Sequence, residues 1–428
     1  MSRVVYIGII IILILAVVAS FLAFQSPPPV ATPTGTQTPP ATTPTISPTP
    51  AATPQVVKVG FLGPVTTTYG TIALNSIRLA VEEINNAGGV LGRRIEIVVF
   101  DDQNRPDLAV TGFRKLVEED KVVAVFGVHS SAVGLALLPL IKEAKVPVFA
   151  MGAVADAIDV QVAMNESLKY WFRFNVNASM HALMVTEPAK YIAQKSGFTK
   201  VGLLYDQHAW TEAVVKRAKE ELAKAGLQIV YEGTIDPGKT TSFVPMLSKA
   251  RDAGVQILLV WTAYGDGKVL QRDYYSMKPP FVLIQFDVVG MGTLQWDVTG
   301  GSLPYQIFAW YFFAKTPEAQ KFSKAYEERY EPLRYFYPPY FMYDAVYAWK
   351  SAVEKAGTFS GDAVADALYK YGYSGVSGYW KFTAGHSPLF GPGYITTVAV
   401  QWTEKGDVKI VWPPNLAEGD VSLPPWMK

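Results

Sequence analysis

Beyond residue 55 the chain keeps changing its hydrophobic period, and this constrains its fold more than any other feature. Short apolar runs of strand length alternate with stretches whose apolar residues recur at helical spacing. Continuous apolar strands alternating with helices favour a parallel, doubly wound α/β sheet. A strand over 56–62 ends at Gly63-Pro64, and a helix over 71–86 carries Ile77, Ala80, Val81 and Ile84 on one side. Gly88-Gly89 then stops it in the manner of a left-handed cap. Strands over 95–100, 122–126 and 146–150 follow, with helices over 106–117 and 132–144 between them. After a further strand over 170–174 the pattern restarts. Helices over 179–196, 212–225, 243–252 and 267–275 alternate with strands over 201–205, 227–231, 255–261 and 281–286. Helices over 317–330, 340–355 and 362–371 come next, then a hairpin of strands 396–402 and 408–412 around Glu404 to Asp407. About 370 residues of this kind suit two lobes better than one core.

The first 55 residues differ. Residues 4–24 carry no charge, follow Arg3, and at about 1.5 Å per residue span roughly a 30 Å hydrocarbon core. Retained as a transmembrane helix, this segment keeps its N-terminus inside and exports the rest; a cleaved signal peptide is the alternative reading. Residues 26–54 are rich in proline and threonine and lack charge, which predicts an extended, disordered stalk. The chain has no cysteine, which excludes disulfides, thiolate metal sites and thiol nucleophiles. The net charge of +1, without a basic stripe, argues against nucleic acid. No phosphate-binding loop or zinc spacing is present, and no cofactor is expected. Asp101-Asp102 reads as turn capping, because adjacent side chains on a strand point to opposite faces.

Open α/β sheets bind ligands beyond the carboxyl ends of their strands. Behind the third strand stands Gly127-Val128-His129-Ser130-Ser131, where hydroxyls and helix-start N–H groups could hold a carboxylate; a plain helix cap by Ser130 or Ser131 is the rival reading. His129 beside two serines lacks the elbow of a hydrolase. Behind the fourth strand, Gly152, Ala153 and Val154 are small enough for close backbone approach. In the second half, Trp210, Trp261, Tyr264 and Asp287 follow strands and could enclose a ligand with an apolar body and a cationic group.

The segments VKVGFLGPVTTTYG, ALNSIRLAVEEINNAGGVLGRRIEIVVFDDQNRPDLA, VVAVFGVHSSA and VPVFAMGA, with KVGLLYDQ, TSFVPMLSKARDAGVQILLV and YFMYDAVYAW further on, closely resemble the branched-chain amino-acid (Leu/Ile/Val-binding) family. These are extracytoplasmic solute-binding proteins of ABC transporters. The resemblance covers about 56–414. It implies a type I periplasmic-binding fold, two doubly wound lobes joined by a three-crossover hinge. Lobe 1 would hold 56–175 and 306–390, and lobe 2 would hold 176–305 and 391–414. It further implies that Ser130, Ser131, Gly152 and Ala153 hold a ligand carboxylate, with Val154 near the place of a family threonine. Trp210 would cover the ligand, Tyr264 would stand in a bulkier loop than usual, and Asp287 would meet an ammonium group. The implied role is capture of an amino acid or a related amide or carboxylate for a separate ABC permease, without catalysis. A sensor ectodomain signalling through a partner chain is the alternative, and an exported hydrolase a distant third.

Overall fold

The computed structural model describes residues 55–263, 266–311, 316–330, 332–333, 337–391 and 393–427, the side chain of Ala209 excepted. The expected anchor over 4–24, the stalk over 26–54 and the candidate Tyr264 lie outside the described residues. Among the described residues no helix is long and apolar enough to cross a membrane.

The first sheet is built from β1 (Val56–Gly63), β2 (Arg94–Asp101), β3 (Val125–Gly127), β4 (Val148–Ala150) and β5 (Trp171–Arg173), in the order β2-β1-β3-β4-β5. All of its pairings are parallel. Between these strands run α1 (Thr68–Asn86), α2 (Pro106–Arg114), α3 (Ser131–Ala144) and α4 (Asp156–Met164). Helix α1 starts three residues earlier than its apolar periodicity suggests, because the Thr67 hydroxyl caps it by accepting from Gly70 N–H. Strand β3 is shorter than expected: Val122 N–H is taken by Leu116 O, and although Val123 N–H reaches Lys58 O, the regular ladder with β1 runs only from Val125. Helix α4 carries too weak an apolar stripe to be read from sequence, and only Ile158 and Val162 are buried.

The second unit runs through α5 (Ala178–Ser196), β6 (Lys200–Asp206), α6 (Ala209–Lys224), β7 (Gln228–Ile235), α7 (Val244–Asp252), β8 (Ile257–Thr262), α8 (Gly267–Met277), β9 (Val282–Asp287), α9 (Gln295–Thr299) and β10 (Ile307–Tyr311). Then come α10 (Pro317–Glu327), α11 (Tyr337–Ala356), α12 (Gly361–Tyr371), the short hairpin β11 (Tyr373–Gly375) and β12 (Gly378–Trp380), and finally β13 (Thr397–Trp402) and β14 (Val408–Trp412). The second sheet has the order β14-β13-β10-β9-β8-β6-β7. It is parallel from β10 to β7, while β13 and β14 join antiparallel. Strand β8 shows why its sequence is uninterruptedly apolar. Ile257, Leu259 and Trp261 point into the main core, while Leu258 and Val260 point into a second core on the opposite face with Leu247, Leu270 and Phe281.

The chain crosses between the sheets three times: after β5, after β10, and between β12 and β13. This is the type I architecture. One boundary differs from expectation. The resemblance places 307–311 in lobe 1, but β10 pairs with β9 and β13, so the second crossing falls beyond Tyr311. Helix α11 returns to the first lobe, where it packs on α1 and sets Trp349 edge-on against Phe126.

Candidate ligand site at the carboxyl edges of the two sheets

In both sheets the strand order reverses once, between β1 and β3 and between β6 and β8, and it is beyond the carboxyl edge at such reversals that open α/β sheets bind ligands. In the first lobe, Gly127 (φ 113°) and Val128 (φ 49°) turn the chain sharply out of β3. A β-branched residue at positive φ is strained, and such strain gathers at functional sites. The turn is zipped to the one after β4: Met151 N–H donates to Gly127 O, Gly152 N–H to Val128 O and Ala153 N–H to His129 O. A side chain at Gly152 would collide with the His129 carbonyl, so only glycine fits there.

Ser130 is the N-cap of α3, its hydroxyl accepting from Val133 N–H at 3.2 Å. The Ser131 hydroxyl accepts from Ala155 N–H at 3.1 Å and so ties the two turns together. Both hydroxyls keep a proton to donate, beside the first N–H groups of α3 and the positive end of its dipole. The structure thus brings Ser130, Ser131, Gly152, Ala153 and Val154 into one small cradle.

Sequence reasoning missed the residue that holds that cradle rigid. Fully buried Arg173 donates from Nε to Ala153 O at 3.1 Å and from Nη2 to Ala153 O at 2.9 Å and Ala155 O at 3.1 Å. Its Nη1 pairs with Asp159 and Ser387. Beside the cradle, Tyr69 stacks on His129 with ring centroids 4.1 Å apart, and Asn104 donates to the Tyr69 hydroxyl. Burial pushes the His129 imidazole down to about 4, so it is neutral at pH 7. Among the described residues neither serine bonds to a histidine, so the nucleophile–base pair of a hydrolase is not assembled.

In the second lobe the acidic side chains turn inward. Asp206, at the end of β6, accepts from the Thr262 hydroxyl and from Ala263 N–H, and Asp266 accepts from Gly238 N–H. Burial raises Asp206 to about 7, with the Asp266 and Asp287 charges adding to the effect. Asp287 stands at the end of β9 as expected, yet it is only 2% exposed. It accepts from Val289 N–H and from Gln271 Nε2 at 2.9 Å, and burial raises it to about 6. Gln271 belongs to a buried ladder with Gln285, Gln295 and Gln306. The backbones at Gly267 and Gly290 close against one Asp287 oxygen so tightly that a Cβ at either would strike it.

The rest of this edge is aromatic. Helix α6 begins at Ala209, which puts Trp210 on its first turn, with Phe286 and His181 as ring neighbours. Trp261 is fully buried and donates to His181 O, which makes it a residue of the core rather than of the ligand wall. His181 and Asn175 escaped sequence reasoning. Asn175 Nδ2 donates to Met151 O at 3.0 Å, the Tyr311 hydroxyl donates to Asn175 Oδ1 at 2.9 Å, and His181 Nε2 lies 2.9 Å from that hydroxyl. A buried polar chain thus runs from beside the cradle of the first lobe, through Asn175 on the first crossover and Tyr311 at the end of β10, to the aromatic wall of the second. The residues in it are far apart in sequence and carry no local motif.

The profile of the periplasmic binding protein family matches residues 56–407. The chain belongs to this family. It is a family of binding proteins and not of enzymes. Among curated relatives, Leu/Ile/Val-binding protein homolog 7 of Brucella suis biovar 1 (strain 1330) is 31% identical over 224 residues, which is 50% of this chain and 54% of that protein. The chain therefore matches about half the length of such family relatives. Among solved structures, a putative branched-chain amino acid ABC transporter from Silicibacter pomeroyi superposes with a TM-score of 0.77 at 20% identity, covering 87% of this chain and 100% of that one. A solute-binding protein of an ABC transporter from R. palustris in complex with benzoate superposes with a TM-score of 0.68 at 19% identity, covering 83% and 95%.

Proposed function

We propose that this protein captures a small carboxylate, an amino acid or a related amide or acid, between its two lobes and delivers it to a separate ABC permease. The observation that carries the reading is the rigid cradle formed by Ser130, Ser131 and the 152–154 turn at the strand-order reversal of the first sheet. Family membership supports it, as do relatives named for binding Leu/Ile/Val and the benzoate-bound fold neighbour. Affinity comes from hydroxyls and helix-start N–H groups on the carboxylate, with closure of the second lobe excluding water. The uncharged 4–24 segment holds the protein at the outer face of the membrane, and the 26–54 stalk sets it off from the bilayer.

A thermal-shift panel of amino acids, amides and small carboxylates tests this. A ligand at one hundred times its Kd stabilises by about 2.7 kcal/mol, so at least one carboxylate should raise Tm by several degrees. A flat response across the panel refutes the reading. Recovery of the full chain in washed membranes, against soluble recovery of a chain starting at Gln55, tests the tether.

A further inference from the structure

Two Asn-x-Ser triplets occur in the chain, Asn165-Glu166-Ser167 and Asn177-Ala178-Ser179. On an exported protein such a triplet is a candidate acceptor for an N-linked sugar. The fold treats the two in opposite ways.

Asn165 stops α4 in an extended conformation (φ −139°, ψ 98°) and caps the single 3-10 turn Glu166–Leu168 that follows. It is exposed. Its Oδ1 accepts from Ser167 N–H at 3.1 Å and from the Ser167 hydroxyl at 2.6 Å. Two donors on Oδ1 polarise the amide, which makes a proton on Nδ2 easier to lose. Nδ2 itself, the atom that would carry the sugar, has no protein partner among the described residues. Helix α4 leaves the 152–154 turn and runs nine residues, about 13 Å, back towards the start of β5. Asn165 therefore stands near the amino edge of the first sheet, away from the cradle. One turn apart on the same helix, Val160 is 55% and Met164 83% exposed, an apolar strip in water that a neighbouring sugar would make polar.

Asn177 is half-buried on the first crossover. Its Oδ1 caps α5 by accepting from Met180 N–H at 2.9 Å, and its Nδ2 donates to Asp159 Oδ2 at 2.7 Å. The Ser179 hydroxyl has turned to Asp156 instead of to the asparagine. Both ends of this amide are committed to the fold.

Resting on the outer-face location proposed above, we infer that Asn165 is an N-glycosylation site and Asn177 is not. The sugar donor is an oligosaccharide linked to a polyprenyl pyrophosphate, used by a membrane-bound transferase. A bond forms between Asn165 Nδ2 and the anomeric carbon of the sugar. The bond from that carbon to the pyrophosphate oxygen breaks, the lipid pyrophosphate leaves with the electron pair, and one amide proton is released.

Peptide mass spectrometry of the full chain, recovered from membranes of its source cells, tests this. The peptide containing Asn165 should be heavier by one or more sugar residues in most copies, and the peptide containing Asn177 should keep its bare mass. Asn165→Gln and Ser167→Ala, each expressed in the same cells, should lose that sugar mass completely. Ser167→Ala keeps the asparagine, so its loss ties the modification to the triplet. Protease added to intact cells reports location in parallel. A bare Asn165 on protease-accessible protein overturns the inference alone, as does sugar on Asn177 or sugar that survives in Ser167→Ala. Protein sheltered from the protease in intact cells defeats the outer-face reading and the inference together.

Discussion

At Asp206 two good hydrogen bonds do not offset the loss of water. Its acid form is favoured up to about 7 in the folded chain, against 3.8 when unperturbed. The folded protein therefore holds this proton over a pH range in which the unfolded chain has released it. The stability Asp206 contributes is full below about pH 4 and falls as pH rises towards 7. Buried His129 and His181, depressed to about 4 and about 3, act in the opposite sense and lose stability as pH drops below 6.5. Asp206→Asn isolates one contribution. The unfolding free energy of the variant relative to wild type should climb between about pH 4 and about pH 7 and level off above. Urea melts at closely spaced pH values measure it, and a pH-independent difference would show that Asp206 ionises as an exposed acid does. Single residues were only partly legible in the sequence. Ser130 and Ser131 could be placed because hydroxyls at a helix start are a local pattern. The place of Asp287 was also legible, but the direction of its carboxylate was not, since Gln271, Gly267 and Gly290 decide that from other elements. Arg173 lies within an apolar run, and its guanidinium finds its partners far off in sequence, at Ala153, Ala155, Asp159 and Ser387.

At the scale of elements, helix α3 ends on a residue that does not suit its backbone. Lys145 closes it at φ 56°, ψ 34°, with its N–H on Ile141 O. Gly197 closes α5 in the same left-handed region without the penalty of a Cβ. Lys145→Gly should therefore stabilise the protein by about 0.5–1 kcal/mol, the usual cost of a non-glycine cap of this kind less the greater freedom glycine has when unfolded. Chemical denaturation decides, and a loss would mean that the lysine stem packs more than its position suggests. The elements were the most readable level of the sequence. Helical stripes and Gly-Gly or Pro punctuation placed nearly every helix within a few residues. The exceptions have physical causes. Strands β3 and β4 pair over only three residues each, and α4 owes its existence to the groups that dock on it: Asp159 on Arg173 and Asp156 on Ser179.

At the scale of the whole molecule, the two lobes share one buried polar joint. The Tyr311 hydroxyl bonds to Asn175 on the first crossover and to His181 at the start of the second lobe. Tyr311→Phe removes the shared group and leaves His181 Nε2 buried without its hydroxyl partner. The variant should lose about 1–3 kcal/mol of unfolding free energy. Its affinity for any bound carboxylate should also change, because the joint joins the cradle to the aromatic wall. Calorimetry and urea melts on the same sample separate the two effects. Unaltered stability and affinity together would show that the joint is idle.

Ser387 lies on the third connection between the lobes, and Arg173 fastens it to the frame of the first. That rivet shortens the part of the connection free to swing to the stretch between Ser387 and β13. The 153–155 turn and the rivet share one guanidinium, so a movement of the second lobe onto a ligand would leave that turn in place. On the proposed function the molecule would work less like a pair of closing jaws than like a fixed anvil with a moving hammer.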